Sequence, residues 1–191
     1  MEYGFFALMF RMKYIDRWAL MRCNEKENLA EHSLEVAIIA SALANIGNTY
    51  FNKNYNCEQI ALKAMFHDAT EIMTGDLPTP IKYYNSDIRN AYSVVEKCAQ
   101  EKELSLLPKE LSNKYKDIFE LNDKEKLLIK AADKLCAYIK CVNEEQSGNI
   151  EFSFAAKTTK EAIDAFDCDE LRYFCKHFLN AFFQPLDNIS L

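Results

Sequence analysis

The chain has 191 residues, of which 49% are hydrophobic and 27% charged, a composition typical of one soluble globular domain. Its net charge of -6 argues against the basic surface that a polymeric nucleic acid would need, although a small phosphorylated substrate remains compatible with it. Only four Gly and four Pro interrupt the chain, which favours long helices over a fold of many short strands.

Cysteine usage and the N-terminal segment predict the compartment. The seven Cys include no CxxC pair, which predicts free thiols in a reducing environment rather than disulfides or a structural zinc site. The apolar segment Met1 to Phe10 is short, contains Glu2 and lacks a small-residue cleavage site. It predicts neither a signal peptide nor a membrane span. We therefore expect a cytoplasmic protein.

Apolar residues recur at spacings of three or four and predict an all-α, single-domain helical bundle over residues 1–191. Seven or eight helices are expected: Phe5 to Ile15, Leu29 to Ile46 with Gly47 as its stop, Cys57 to Phe66, Ile81 to Leu104, a short helix after Pro108, Asp123 to Glu145 with Asp123 as its cap, Ser153 to Phe166, and Asp169 to Phe183. Asn28 and Glu31 form a capping-box pattern. Thr74 to Pro80 predicts a rigid, non-helical turn because it contains two Pro.

Four polar residues interrupt apolar helices and suggest a metal site. His32, His67, Asp68 and Asp133 would together offer two imidazoles and two carboxylates, with room for water. This set suits one manganese, cobalt or related ion better than a closed zinc site. The alternative is that the His residues are satisfied core residues and Asp133 pairs with a neighbouring Lys. The third histidine, His177, lies far along the chain, which favours one ion over two.

Glu71 is the candidate for proton transfer. It follows His67 by four residues and Asp68 by three, so a continuing helical turn would place all three on one face. Its carboxylate would then act beside the metal without being a ligand. The alternative is an exposed helical Glu.

The order His32, then His67-Asp68, then Asp133 resembles the HD phosphohydrolase superfamily. The surrounding blocks are more specific, and they are Arg17-Trp18, Glu31-His32-Ser33, His67-Asp68-Ala69-Thr70-Glu71, Thr74-Gly75-Asp76-Leu77-Pro78-Thr79-Pro80 and Ala132-Asp133-Lys134-Leu135-Cys136-Ala137-Tyr138. Together they resemble the bacterial HD-domain 5'-deoxynucleotidases of the YfbR type. The likeness runs nearly full length and is strongest from Phe5 to Glu101 and from Glu125 to Glu145.

This resemblance implies a role for each matching residue. The metal ligands would be His32, His67, Asp68 and Asp133. The resemblance further implies that Arg17 contacts the phosphate, that Trp18 leaves no room for a sugar 2'-hydroxyl, and that Glu71 is placed for proton transfer. Our mechanistic hypothesis adds Asp68 as a second residue that handles protons. Asp76 would contact the sugar 3'-hydroxyl. Thr79 in the same turn and Lys82 just after it are further candidate substrate contacts.

The expected activity is metal-dependent hydrolysis of the 5'-phosphate of deoxyribonucleoside 5'-monophosphates by a homodimer, giving deoxynucleoside and phosphate. Another HD phosphohydrolase activity is an alternative, namely a phosphodiesterase, a triphosphohydrolase or an alarmone hydrolase, because these share the metal set. A non-enzymatic nucleotide-sensing module is a second alternative. Such a module has no need of a proton-transfer carboxylate at Glu71.

Overall fold

The computed structural model describes residues 2–82 and 84–189, except for the side chains of Thr79 and Pro80. The helices are α1 (Phe5–Met9), α2 (Leu29–Tyr50), α3 (Cys57–Met65), α4 (Glu71–Thr74), α5 (Thr79–Lys82), α6 (Ser86–Leu104), α7 (Lys109–Phe119), α8 (Asp123–Gln146), α9 (Ser153–Asp164) and α10 (Asp169–His177). Short 3-10 helices cover Phe10–Tyr14, Ile150–Phe152, Leu179–Phe183 and Leu186–Asn188. Within the described residues there is no strand, only an isolated antiparallel bridge between Asp16 and Asn28, which confirms the all-α prediction.

Helix α2 is the centre of the bundle. It packs against α3, α8 and α10 through a core that includes Val36, Leu43 and Leu135, each fully buried. The Asn28 side chain accepts hydrogen bonds from the first turn of the helix, and the Glu31 carboxylate accepts one from the Asn28 backbone N–H. The predicted capping box is therefore confirmed, and it fixes where α2 begins.

The length and hydropathy of α2 also meet the criterion for a membrane span. However, 56% of its most apolar window is buried inside the fold, and its N-terminal turns contain His32 and Glu35. A helix that is covered by three others needs no lipid to bury its apolar face. We interpret α2 as the core helix of the domain.

Several predicted helix ends were wrong. The last helix ends at His177 rather than at Phe183, and two other ends have a clear physical reason. Gly47 does not stop α2, which continues to Tyr50. Instead, Gly47 allows a close approach, because a Cβ atom there would lie 2.5 Å from the ring of Tyr55. Helix α8 is capped by Asn122 rather than Asp123, since the Asn122 side chain accepts the N–H groups of Lys124 and Glu125. Asp123 is the first helical residue, where its charge suits the helix dipole.

The proline turn also differs from expectation. Thr79 and Pro80 begin the short helix α5, which is allowed because a proline in the first helical turn has no N–H that needs a partner. A break near Asn85, which caps α6, then divides the predicted helix from Ile81 to Leu104. The first helix similarly changes from α-helix to 3-10 helix at Phe10. Residues 75–78 remain non-helical, as predicted.

Two smaller apolar clusters support the region around the candidate site. Phe5 and Ala69 belong to a cluster that packs α1, α6 and the turn before α4 together. Phe152 and Cys141 belong to another, against which Trp18 packs. The turn containing His67 and the loop containing Trp18 therefore each pack against buried apolar side chains.

One core residue carries a buried carboxyl group without a partner among the described residues. Glu103 in α6 is fully buried, and neither of its carboxylate oxygens has a hydrogen-bond partner among the described residues. Burial penalises its charged form and raises its pKa to about 7. We expect Glu103→Leu to stabilise the protein by about 1–3 kcal/mol at pH 8, measured by urea unfolding.

The pH dependence separates this explanation from simple gain of apolar packing. The folded carboxyl keeps its proton between about pH 4.5 and 7, whereas the unfolded one loses it, so wild-type stability declines across that window. The advantage of the variant should grow over the same window and then level off. Glu101→Leu, an exposed change on the same helix, is the control; an equal gain there would contradict the prediction.

Candidate functional site

Three segments distant in sequence bring the predicted ligands together. His32 comes from the second turn of α2, His67 and Asp68 from the turn between α3 and α4, and Asp133 from the middle of α8. Donor atoms of His32, His67 and Asp68 all lie within 4.8 Å of one another. Asp133 joins them through His32, with 3.2 Å between its Oδ1 and the imidazole Nε2. A spacing of this size suits ligands that share one cation.

The orientation of His67 also fits a metal ligand. Its Nδ1–H donates to the Ala64 carbonyl at 2.8 Å, which leaves Nε2 as the nitrogen that can bind a metal ion when the ring is neutral. That Nε2 is buried, has no hydrogen-bond partner among the described residues, and lies 3.0 Å from Asp68 Oδ2. A metal-binding histidine usually donates its other ring N–H to a carbonyl or carboxylate in this way, and the Nε2 of His67 faces the other candidate ligands.

The charges of the cluster favour a cation. Burial disfavours protonation of His67, but the Asp68 and Asp133 carboxylates raise its pKa to about 9. Burial likewise opposes ionisation of Asp68 and Asp133, yet the two histidines hold the pKa of each carboxyl below its usual value. A metal ion must displace the imidazole protons, so its affinity should weaken as pH falls.

Glu27 connects this cluster to the predicted substrate residues. It is buried, and its Oε2 accepts the indole N–H of Trp18 at 2.6 Å and the Nε–H of Arg17 at 3.3 Å. Its Oε1 lies 3.5 Å from His32 Nδ1. Burial raises the pKa of Glu27, but His32 and Arg17 outweigh that effect and lower it. The ionised Glu27 carboxylate therefore binds both Arg17 and Trp18 and lies against His32.

Arg17, Trp18 and Glu27 all lie on one closed loop. The bridge between Asp16 and Asn28 joins the two ends of the loop, and the Arg17 N–H donates to the Glu27 carbonyl at 3.0 Å. A compact loop with adjacent ends can present side chains to a site without regular secondary structure. The loop follows the first helical segment and leads into α2 beside the cluster.

The Arg17 side chain lies against the group of His32, His67, Asp68 and Asp133, which we call the metal-type cluster. It is largely buried, and its Nη1 is 3.4 Å from Asp68 Oδ2, while Nη2 has no protein partner among the described residues. Burial opposes its charge, but the carboxylates of Glu27 and Asp68 raise the pKa of the guanidinium. The group therefore stays charged, and it keeps donors for a phosphate oxygen.

Trp18 is held in a strained conformation. Its φ is +59°, a left-handed value that is rare for a bulky residue and persists only where surrounding contacts impose it. Its indole donates to Glu27 and its ring packs on Phe152, with 5.3 Å between centroids. The ring is only partly buried and can therefore form a wall of the site.

Glu71 and Asp76 follow, along the chain, the turn that contains His67 and Asp68. Glu71 begins α4 and is buried, and its Oε2 has no hydrogen-bond partner among the described residues. Burial, with the charges of Asp68 and Asp76, raises the pKa of Glu71 to about 8. Asp76 follows Gly75, whose φ of +74° turns the chain. Such a Glu is placed to carry a proton at neutral pH.

The structure gives less support to Lys82 and Thr79 as substrate contacts, and it places His177 away from the metal-type cluster. Lys82 donates to Glu96 at 2.8 Å and lies over the ring of Tyr92, so its charge already has a partner. The side chain of Thr79 lies outside the described residues. His177 packs against Tyr173 at the end of α10 and is absent from the metal-type cluster.

Sequence reasoning missed Glu27. A Glu that directly precedes a helix cap looks like an ordinary solvated residue, and its role depends on a loop whose closure no periodicity reveals. The available signal was indirect: the polar segment around Arg17 and Trp18 needed a buried counter-charge, and Glu27 is an acid at the other end of that segment.

The chain is similar to known proteins along nearly its whole length. Residues 4–182 match the family model described as 5'-deoxynucleotidase YfbR-like. A 5'-deoxynucleotidase of Enterobacter sp. (strain 638) is 47% identical over 189 residues, covering 97% of this chain and 95% of that protein. The 5'-deoxynucleotidase YfbR of Escherichia coli O1:K1 shows the same identity and coverage.

Solved structures support the fold. An HD-domain phosphohydrolase from Listeria innocua has a TM-score of 0.82 at 22% identity, covering 94% of this chain and 88% of that one. The cyanophage S-2L HD phosphohydrolase DatZ, bound to dA and one catalytic Zn²⁺, has a TM-score of 0.64 at 17% identity, covering 92% and 96%. Together with the near full-length relatives, these findings place the chain in the YfbR-like family of 5'-deoxynucleotidases, on the HD phosphohydrolase fold.

Proposed function

We propose that this protein hydrolyses the 5'-phosphate of deoxyribonucleoside 5'-monophosphates in a metal-dependent reaction. The observation that carries the proposal is the placement of Arg17, 3.4 Å from the cluster carboxylate Asp68 and bound to the same Glu27 that holds Trp18. A phosphate-binding group and a sugar-sized wall thus adjoin a metal-type site. The names of the 47% identical relatives support the same substrate class.

The cation would be held by His32, His67, Asp68 and Asp133. Two imidazoles and two carboxylates suit manganese, cobalt or a similar divalent ion, and we propose one ion per chain. When bound, it supplies a Lewis acid that polarises the phosphate and lowers the pKa of water.

Side chains of the protein would bind the phosphate, transfer the proton and orient the attacking water. Arg17 binds two phosphoryl oxygens and offsets charge that develops on them. As the water oxygen bonds to phosphorus and the bond to the 5'-oxygen breaks, Glu71 gives its proton to that oxygen. The products are the deoxynucleoside and phosphate, and the proton released by water restores Glu71. Asp68, between Arg17 and the histidines, would orient the attacking water.

The deoxyribose would be recognised by steric exclusion at Trp18 and by a hydrogen bond to the Asp76 carboxylate. Trp18, fixed by Glu27 and Phe152, would leave no space for a 2'-hydroxyl. Asp76 would accept a hydrogen bond from the 3'-hydroxyl. Thr79 stays a proposed contact, and Lys82 is one only if substrate draws it from Glu96.

A cytoplasmic homodimer is part of the proposal. All seven cysteines are free thiols, which suits a reducing compartment. Large apolar side chains are exposed on α1 and α6, among them Phe6, Val94 and Val95, and such a surface suits a subunit interface.

Phosphate release from paired nucleotides tests the activity. The protein is first treated with a chelator, then assayed on dAMP against AMP and on dTMP against UMP, with manganese, cobalt or magnesium added back. We expect release only after metal addition and only from the deoxy member of each pair, because the reaction needs the cation and the sugar wall excludes the 2'-hydroxyl.

The controls for this assay are metal content and a second substrate panel. Absence of release from every monophosphate, with metal binding established by titration calorimetry, would contradict the proposal. Hydrolysis of cyclic dinucleotides, nucleoside triphosphates or alarmones in its place would assign the site to another HD activity. Tight nucleotide binding without turnover would instead indicate a sensing role.

A further inference from the structure

The tip of the loop that contains Arg17 and Trp18 is fastened to the C-terminal end of α8. The contacts come from Glu144 in the last turns of that helix and from Asn149 just after it. They hold the loop at residues 22–25, between the substrate residues at one end and Glu27 at the other.

Glu144 is the centre of this attachment. It is buried, with 2% of its surface exposed, yet it lies on a helix end and contacts no predicted ligand. Its carboxylate accepts the backbone N–H of Asn24 at 2.8 Å and that of Glu25 at 3.1 Å. Lys140 donates to it at 2.6 Å and Asn149 at 2.9 Å. Burial disfavours its charge, but these four donors lower its pKa to about 2.

The neighbouring contacts reinforce the same connection. Asn149 also donates to the Arg22 carbonyl at 2.6 Å, and Lys140 donates to the Glu25 carbonyl. The Asn24 side chain donates to the Ser147 carbonyl at 3.3 Å. Each of these bonds uses a backbone group of the loop or of the helix end, so they fix the path of the chain rather than one side chain.

Helix α8 therefore has two separate tasks. It contributes Asp133 to the metal-type cluster, and eleven residues later it contributes Glu144 to the loop. Eleven residues span about 16 Å of helix, and a helix is stiff over that length. Helix α8 thus links the position of the loop tip to the position of Asp133.

We infer that Glu144 is a positioning residue for the substrate site: it anchors the loop so that Arg17, Trp18 and Glu27 face the metal-type cluster. This inference rests on the proposed function, because it concerns how that substrate is bound. Glu144 touches no reacting atom and acts through the loop alone. Arg17 and Trp18 contact the substrate before and during reaction, so loosening them should raise KM more than it lowers kcat.

The test compares Glu144→Ala and Asn149→Ala with Glu145→Ala. The Glu145 side chain is the next acid on the same helix and makes no hydrogen bond among the described residues, so it is the control. We expect KM for dAMP to rise about tenfold in Glu144→Ala and less in Asn149→Ala, with a smaller preference for dAMP over AMP. Affinity for manganese, measured by titration calorimetry, should stay unchanged, because no metal ligand is altered.

A second readout does not depend on activity. Trp18 is the only Trp in the chain, so intrinsic fluorescence reports the position of the loop. In Glu144→Ala and Asn149→Ala the emission should shift to longer wavelength and acrylamide quenching should increase, as the indole leaves Glu27 and Phe152. Asn149→Ala leaves Glu144 in place and removes the Asn149 bonds to the Glu144 carboxylate, to the Arg22 carbonyl and from the Glu151 N–H, so it tests the attachment even if Glu144→Ala does not fold.

KM and Trp18 emission together distinguish a positioning role of Glu144 from a purely structural one. A higher KM together with altered Trp18 emission, in a variant that binds manganese normally, supports the inference. A lower melting temperature with unchanged KM and unchanged emission would show that Glu144 only stabilises the fold and would overturn it. Failure of the wild type to hydrolyse any monophosphate would refute the proposed function instead, and Trp18 emission would still decide whether Glu144 holds the loop.

Discussion

Replacing Glu71 by Gln should lower kcat for dAMP by about 10²- to 10⁴-fold, the usual contribution of a positioned acid or base. The amide has nearly the same shape as the carboxyl group but cannot give a proton to the departing 5'-oxygen. Burial beside Asp68 and Asp76 raises the pKa of Glu71 to about 8 in the metal-free chain, which favours a carboxyl group that can carry a proton near neutral pH. KM should change little, since the substrate-binding residues are untouched.

The pH profile gives a second signature of the same role. A general acid is active while protonated, so the wild-type kcat should fall as pH rises through the pKa of Glu71. A bound cation lowers that pKa, which places the alkaline decline at or below about pH 8. In Glu71→Gln this decline should vanish, because the residue no longer titrates.

A matched control tests whether the effect is local. Glu58→Gln alters an exposed acid at the start of α3 and should leave both kcat and the pH profile as in the wild type. Retention of more than a third of wild-type kcat by Glu71→Gln, with metal bound and the fold intact, would remove Glu71 from the reaction.

The helices and the cluster of His32, His67, Asp68 and Asp133 could be predicted because both leave local traces. A capping box such as Asn28 and Glu31 lies within four residues, and an acid such as Asp133 stands out against an apolar helix face. Structure agreed on these points: the capping box forms, and Asp133 meets His32 across 101 residues of chain.

Two errors arose where one residue type is compatible with two different local structures. Gly47 looked like a helix stop, whereas its lack of a Cβ is needed for contact with Tyr55. Pro80 looked like a helix breaker, but the first turn of a helix tolerates it. In both cases the residue type was informative and the local rule selected the wrong one of its two uses.

Glu27 and Glu144 escaped prediction for a related reason. Both are buried acids whose partners are backbone groups or side chains of an irregular loop, and no periodic pattern describes such a loop. Glu144 nevertheless left a trace, because it follows Ala137 and Cys141 at spacings of four and three along a buried stripe of α8. A charged residue at such a position requires partners, and the only way to learn which ones is to know the path of the loop.

Replacing Trp18 should have the second large effect, on the discrimination between deoxyribonucleotides and ribonucleotides. Trp18→Ala should reduce the preference for dAMP over AMP at least about tenfold, a change near 1.4 kcal/mol, mainly by raising kcat/KM for AMP. Removal of the indole opens space where the 2'-hydroxyl would otherwise meet a ring that Glu27 and Phe152 hold in place. The measurement is kcat/KM for the two nucleotides under identical metal conditions.

Trp18→Phe separates the steric effect from the hydrogen bond. Phenylalanine keeps a ring against Phe152 but loses the N–H that Glu27 accepts at 2.6 Å. If the ring itself excludes the 2'-hydroxyl, the Phe variant should keep most of the preference that the Ala variant loses. If both variants lose it equally, the hydrogen bond to Glu27 sets the filter by orienting the ring, and Glu27→Gln should then relax it as well. A Trp18→Ala variant that folds, binds metal and still rejects AMP would show that the discrimination lies elsewhere, with Asp76 the next residue to change.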